Sequence, residues 1–300
     1  MVPALVGMRI AVLGGDARSF FYIPALLEAG AVVKAVGFDK AVSLVPCELV
    51  GLAEALIWAN VVILPMSGVA SDGSLVAPYT DNSLALAADA CALTQAGLLV
   101  LTGVANAHLK ELAAVHGWRL VEIANINDLA ILNSVPSAEG AIQMAMEASD
   151  ITIHSSICLV LGFGRCGTTL ALDLAGLGAD VLVAARSPDD LARAKICGYQ
   201  AVNFLNLANE ISKADFIFNT APALVLPRAL LMLTKQEVVI IDIASGLGGV
   251  DYAAARRLGR KAFLAPSLPG KIAPRSAGRI IGELLPGIIN KHFVRRDYQV

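Results

Sequence analysis

The chain alternates short apolar runs with segments of helical spacing over nearly its whole length. In the first half, runs at 9–13, 31–36, 61–64, 98–101 and 119–123 read as strands. Between them, 20–29, 48–58, 83–95 and 107–116 carry the spacing of helices. The runs are continuous rather than alternating, as expected of parallel strands covered on both faces. A connector follows at 124–156. Within it Ser137 reads as the N-cap of a helix running through Glu139, Ile142, Met146 and Glu147. The second half repeats the alternation, with strands at 157–161, 181–185, 216–219, 238–243 and 262–264. A last helix is predicted at 278–290, ended or kinked by Pro286 and packing back across a domain junction.

This order predicts an α/β protein with two doubly wound parallel-sheet domains. The first, 1–136, is flavodoxin-like or a degenerate Rossmann unit and serves as the substrate domain. The second, 137–300, is a Rossmann dinucleotide-binding domain. In such sheets ligands bind beyond the carboxyl ends of the strands, so polar groups of both domains are expected to converge on a cleft between them.

Composition narrows the classes. Of 300 residues, 56% are hydrophobic and 16% charged, which makes a core-rich globular chain. A formal charge of −2 offers no electrostatic case for nucleic acid or an anionic membrane. No stretch approaches the ~18 uninterrupted apolar residues of a membrane span. Residues 50–66 come nearest and contain Glu54, Asn60 and Pro65. No basic segment leads into an apolar signal core, because Gly14-Gly15-Asp16-Ala17-Arg18 arrives too early. A cytoplasmic protein is therefore expected. Cys47, Cys91, Cys158, Cys166 and Cys197 lack CxxC spacing and read as reduced, with no metal site. The low charge fraction further suggests apolar surface covered by a partner, and so a homo-oligomer.

The most informative motif is Gly162-Phe163-Gly164-Arg165-Cys166-Gly167, placed directly between a strand and a helix. Backbone N–H groups in such a turn approach a pyrophosphate, and the helix N-terminus favours its charge. An NAD site usually ends the next strand with Asp or Glu, whereas this chain has Arg186-Ser187-Pro188. A guanidinium and a hydroxyl bind a 2′-phosphate that a carboxylate would repel, so NADP(H) is the expected cofactor. Arg193, in the following helix, adds positive charge. The bland alternative makes Arg186 a solvated loop residue and Ser187 only a helix cap. The turn Gly14-Gly15-Asp16 lacks the GxGxxG spacing, and no second dinucleotide is expected there.

Asn219-Thr220-Ala221-Pro222 would pass beside the cofactor's ribose and nicotinamide, or form an ordinary turn. Asp242, with Ser245 beyond it, either faces the cofactor or caps the loop Gly246-Leu247-Gly248-Gly249. No histidine lies between His154 and His292. A D-2-hydroxyacid dehydrogenase has this domain order but needs an imidazole acid/base late in its cofactor half, which disfavours that reaction. Neither a Ser-His-Asp nor an HExxH arrangement is present.

Several blocks together resemble the A-subunit family of dipicolinate synthases, in the family's order. They are Gly14 to Arg18, Asn133-Ser134-Val135-Pro136-Ser137-Ala138-Glu139-Gly140, the glycine loop, Asp242 to Gly246 followed by Gly249-Val250-Asp251, and Pro269-Gly270-Lys271-Ile272-Ala273-Pro274. The resemblance implies a sporulation enzyme of the mother cell in endospore-forming bacteria, acting with a second subunit of flavoprotein-like fold. It would oxidise a dihydrodipicolinate to pyridine-2,6-dicarboxylate while NADP⁺ is reduced. A dicarboxylate needs cationic or hydrogen-bond donors, which nominates Arg18, Ser67, Ser134, Ser137 and Lys271. The proton acceptor stays unassigned, since aromatisation drives the step and positioning can suffice. Two alternatives remain open: a non-catalytic NADP(H)-binding regulatory subunit, or an NADP-dependent dehydrogenase of another small carboxylate.

Overall fold

Twelve strands, all paired in parallel, form two sheets of six in the computed structural model, which describes residues 5–293. The first sheet contains β1 (Arg9–Leu13), β2 (Val32–Val36), β3 (Glu48–Leu49), β4 (Val61–Ile63), β5 (Leu99–Thr102) and β6 (Arg119–Glu122). The second contains β7 (Ile157–Leu161), β8 (Asp180–Ala185), β9 (Gln200–Asn203), β10 (Phe216–Asn219), β11 (Val239–Asp242) and β12 (Lys261–Leu264). Their orders are β3-β2-β1-β4-β5-β6 and β12-β11-β10-β7-β8-β9. Numbered within its own unit, each sheet runs 3-2-1-4-5-6, the Rossmann order, whereas flavodoxin runs 2-1-3-4-5. The flavodoxin alternative for the first unit is thereby set aside.

Each sheet has one more strand than the apolar runs predict. The additions, β3 and β9, lie at sheet edges and are not fully buried, so neither needs a continuous apolar run. The predicted helix at 48–58 accordingly begins as β3 and becomes helical only at Leu52–Trp58. Of the segment 83–95, only Ala88–Cys91 is helical.

Contacts group the described residues before 131 with those from 273 onward, and residues 131–272 by themselves. In the first unit, Ile10, Val12, Leu99 and Leu101 face the helices Ser19–Glu28 and Pro274–Phe293. Ala11, Leu13, Val62 and Val100 face Leu52–Trp58 and Ala107–Val115 on the other side. The second sheet is likewise two-faced. Cys158, Val160, Phe216 and Phe218 pack on the helices Ser134–Glu147 and Arg165–Gly176, while Leu159, Leu161, Ile217 and Ile240 pack on Tyr252–Arg257. Burying a side chain of this size stabilises by about 1.5–3 kcal/mol, so both faces of each sheet contribute.

Two further helix limits differ from the sequence reading. The connector helix begins at Ser134, because Pro136 falls in the first turn, where its missing N–H would be unpaired anyway. Ser137 is therefore no N-cap; its Oγ donates back to Asn133 O at 2.9 Å. The expected 136/137 boundary falls inside this helix, whose Ala138, Ala141 and Ala145 lie in the second unit's core. The last helix starts at Pro274 and continues through Pro286 to Phe293. Burial of Ile281, Leu285, Ile288 and Ile289 on both sides of Pro286 offsets the hydrogen bond that a proline cannot make.

Candidate functional site

The glycine loop joins β7 to the helix Arg165–Gly176, and its three glycines do different things. Gly162 has φ +94°, in the left-handed region, and a Cβ there would lie 2.6 Å from Thr220 Oγ1. A Cβ on Gly167 would lie 2.2 Å from Gly162 O, so the helix packs against its own turn only with glycine there. Gly164, at the helix N-cap, has nothing within 4 Å of its Cβ position. The outer glycines serve chain packing, while the middle one leaves an open backbone face at a helix N-terminus. This cradle fits the pyrophosphate of a dinucleotide.

The side chains of the loop contribute less. Phe163 is 4% exposed and meets Tyr199 edge to face, with ring centroids 6.1 Å apart. It is an anchor in the core, so only its backbone remains a candidate contact. Cys166 is half-buried, and burial pushes its thiol pKa up against a smaller opposing effect of Arg165. Arg165 is exposed in the first helical turn.

Arg186 follows β8 directly, exposed and without a side-chain partner among the described residues. Ser187 occupies the N-cap of the helix Pro188–Ile196, yet its hydroxyl makes no capping bond. Both groups thus stand available at the place where a dinucleotide's ribose substituents are read. Arg193 differs. Its Nη2 bonds Asp190 within the same exposed helix, so its charge is already compensated and it is no unpaired cation.

Asp242 and Asn219 take the structural alternative. Asp242 is fully buried at the end of β11, and its two oxygens accept four bonds. Oδ1 accepts from Asn219 Nδ2 at 2.8 Å and Ala244 N at 3.0 Å; Oδ2 accepts from Gly249 N at 2.6 Å and Tyr252 OH at 2.8 Å. Asn219 Oδ1 accepts from Ala221 N at 3.0 Å, and its Nδ2 donates to Ala221 O at 3.1 Å. Neither side chain retains a free atom to offer a cofactor. Together they pin the ends of β10 and β11, and burial, reinforced by the Asp242 bond, raises the Tyr252 phenol. Thr220 Oγ1 donates to Leu161 O at 2.9 Å, behind Gly162. Half-buried Ala221 and exposed Pro222 and Ser245 remain at the loop surfaces. The role of Tyr252 has no local signal in the sequence, because it depends on a loop closing back on β11.

The five nominated substrate contacts are divided between the two units. In the first unit, Arg18 is 6% exposed and held by Asp16: Nε to Oδ1 at 2.8 Å, Nη2 to Oδ2 at 2.6 Å and the backbone N to Oδ1 at 3.1 Å. Burial pushes the Asp16 carboxyl pKa up, but the bonds and charge of Arg18 outweigh it and hold it below the ordinary range. Arg18 Nη1 makes no bond among the described residues and is not sealed from solvent. Ser67 is exposed in the turn beyond β4.

In the second unit, Ser134 is 1% exposed, with Oγ donating to Ile131 O at 2.6 Å and lying 2.6 Å from Thr169 Oγ1. It ties two helices together and is not available to a substrate. Ser137 is committed to Asn133 O as described, whereas Lys271 is exposed in the helix Leu268–Ile272. All five cysteines are free, and no group of His, Cys, Asp or Glu among the described residues is arranged to hold a metal. No described helix is long and apolar enough to cross a membrane.

Comparison with known proteins covers both units. The family of N-terminal domains of the dipicolinate synthase A-subunit matches residues 9–124, and the family described as "D-isomer specific 2-hydroxyacid dehydrogenase, NAD binding domain" matches 135–254. The second unit is therefore a dehydrogenase-type domain for a nicotinamide dinucleotide. The dipicolinate synthase A-subunit of Bacillus subtilis (strain 168) is 36% identical over 289 residues, spanning 95% of this chain and 97% of that protein. The crystal structure of the Bacillus halodurans A-subunit superposes with a TM-score of 0.91 at 34% identity, covering 95% of this chain and 99% of the other. That of the Bacillus subtilis protein gives 0.91 at 34% identity, covering 98% and 99%.

Proposed function

Because the chain belongs to the A-subunit family of dipicolinate synthases, we propose that it oxidises dihydrodipicolinate to dipicolinate (pyridine-2,6-dicarboxylate) with NADP⁺. The observation that carries the cofactor choice is the pairing of an open Gly164 with an exposed, unpartnered Arg186 beside the uncommitted Ser187 hydroxyl. A guanidinium there supplies charge-assisted bonds to a 2′-phosphate, and no carboxylate ends β8 to compete for the ribose hydroxyls.

When bound, the nicotinamide supplies a hydride acceptor for the ring carbon that becomes aromatic. This chain's own residues hold and orient. Backbone groups of Gly162 to Gly167 take the pyrophosphate, and Arg186 and Ser187 take the phosphate on the ribose. Arg18, fixed by Asp16 with Nη1 left over, takes one substrate carboxylate; Ser67 and Lys271 are the other available donors. The ring proton leaves as the ring aromatises, a favourable step that asks mainly for positioning. The relatives are by name one subunit of a synthase, and we assign this chain a partner of flavoprotein-like fold in the sporulating mother cell.

The test mixes the purified chain and its partner with freshly generated dihydrodipicolinate and NADP⁺. NADPH absorbance should rise in step with dipicolinate. Product without NADPH would overturn the reading in favour of a regulatory dinucleotide-binding role. Activity on a panel of amino and keto acids, with none on dihydrodipicolinate, would instead make it a dehydrogenase of another small carboxylate.

A further inference from the structure

The C-terminal helix Pro274–Phe293 places two glycines four residues apart, and both meet the helix Ser19–Glu28. A Cβ on Gly278 would lie 2.5 Å from Arg18 O, 2.8 Å from Phe21 Cβ and 3.1 Å from Arg18 Cα. One turn on, a Cβ on Gly282 would lie 2.8 Å from Ala25 Cβ and 3.2 Å from Tyr22 Cα. These are mostly backbone atoms and short, stiff side-chain stems, so nothing at Gly278 yields cheaply. By contrast, Gly287 on the same helix has nothing within 4 Å.

The contact at Gly278 falls on the peptide that orients Arg18. Arg18 O accepts from Phe21 N at 3.0 Å and Tyr22 N at 3.2 Å, closing the first turn of the helix Ser19–Glu28. Arg18 is therefore gripped twice: Asp16 fixes its guanidinium, and the close approach of Gly278 fixes its backbone. We propose that Gly278 is a positioning residue for the reaction, setting through the Arg18 backbone where the Arg18 guanidinium meets a substrate carboxylate. This rests on the reading of Arg18 as a substrate contact. It gives the helix Pro274–Phe293 a part in substrate recognition through its packing on the Arg18 backbone. Displacing an anchored cation by a fraction of an ångström to an ångström weakens binding of its carboxylate steeply.

The experiment is a double-mutant cycle in the complete enzyme, with KM for dihydrodipicolinate, kcat and the Kd of NADPH measured for each variant. Gly278→Ala should raise KM by about tenfold or more while leaving the Kd of NADPH within about twofold. Arg18→Lys should raise KM by a similar factor. Adding Gly278→Ala to Arg18→Lys should then raise KM by less than about twofold, because the group being positioned is already lost. Gly287→Ala should change nothing. Should Gly278→Ala not fold, Gly282→Ala moves the same helix one turn away. Its KM effect should be smaller and should again disappear in the Arg18→Lys background.

Equal KM effects of Gly278→Ala in both backgrounds would overturn the inference, since the glycine would then act generally. An effect of Arg18→Lys with none from either glycine variant would overturn it alone. Normal KM in both Arg18→Lys and Arg18→Gln would remove the underlying reading of Arg18 as well.

Discussion

Gly14 and Gly162 stand at the same topological place, each ending the first strand of a 3-2-1-4-5-6 sheet and leading into a helix. Counted from the strand ends, the open Gly164 of the second unit corresponds to Asp16 in the first, and the close-packed Gly167 corresponds to Ser19. Those two exchanges reverse the use of the turn. In the second unit the backbone at Gly164 is uncovered at a helix N-terminus. In the first, Asp16 puts a carboxylate there and spends it on Arg18. The chain also fills its own turn: Gly15 N donates to Val76 O at 2.8 Å, and a Cβ on Gly14 would lie 2.6 Å from that same oxygen. One Rossmann turn thus leaves its backbone open to an anion, while its counterpart is occupied by the Asp16–Arg18 ion pair, with only Arg18 Nη1 left unbonded among the described residues. On the proposed function, the same fold would divide cofactor and substrate binding between its two copies by the residues at two positions.

The comparison can be broken most forcefully at the end of β11. Asp242→Ala leaves Gly249 N and Tyr252 OH without their acceptor in a buried site, and should destabilise the protein by about 3 kcal/mol or more. Urea unfolding measures this, and a loss below about 1 kcal/mol would contradict the hub role. Arg186→Asp should weaken NADPH by about tenfold to a hundredfold and shift preference toward NADH. Unchanged preference in a competition titration would mean that the phosphate is read elsewhere.

The smallest effect concerns the first unit's turn. Asp16 has a lowered pKa in the folded chain, so its pairing with Arg18 stabilises above the ordinary carboxylate range and is lost as pH falls through the lowered value. The Tm of the parent should exceed that of Asp16→Asn by roughly 2 °C at neutral pH, a modest figure because the pair is partly exposed. That difference should close in acid. A difference that persists there would show that shape, not charge, holds the turn.

Much of this is legible from residue patterns. Ten of the twelve strands contain short apolar runs and show themselves, and glycine spacing marks the cradle. The edge strands β3 and β9 are invisible because half-exposed strands need no such run. Ser137 reads as a cap because a first-turn proline resembles a helix boundary from outside. The side chains of Asp242, Asn219 and Ser134 look like ligand contacts from strand-end position or family likeness. What removes them is hydrogen bonding to residues distant in sequence, such as Tyr252 and Thr169, which no local pattern announces. Asp16 is visible two residues before Arg18, but its grip on that side chain depends on the turn's geometry.

The most direct measurement is a calorimetric titration of NADPH into the parent chain and into Gly164→Ala. A Cβ at Gly164 meets nothing in the protein, so the variant should fold with an unchanged Tm and yet lose NADPH affinity by at least about tenfold, as the new methyl group occupies the open face. The parent should bind one NADPH per chain. Two NADPH per chain, or full affinity in Gly164→Ala, would contradict the assignment of the dinucleotide to the second unit's turn alone.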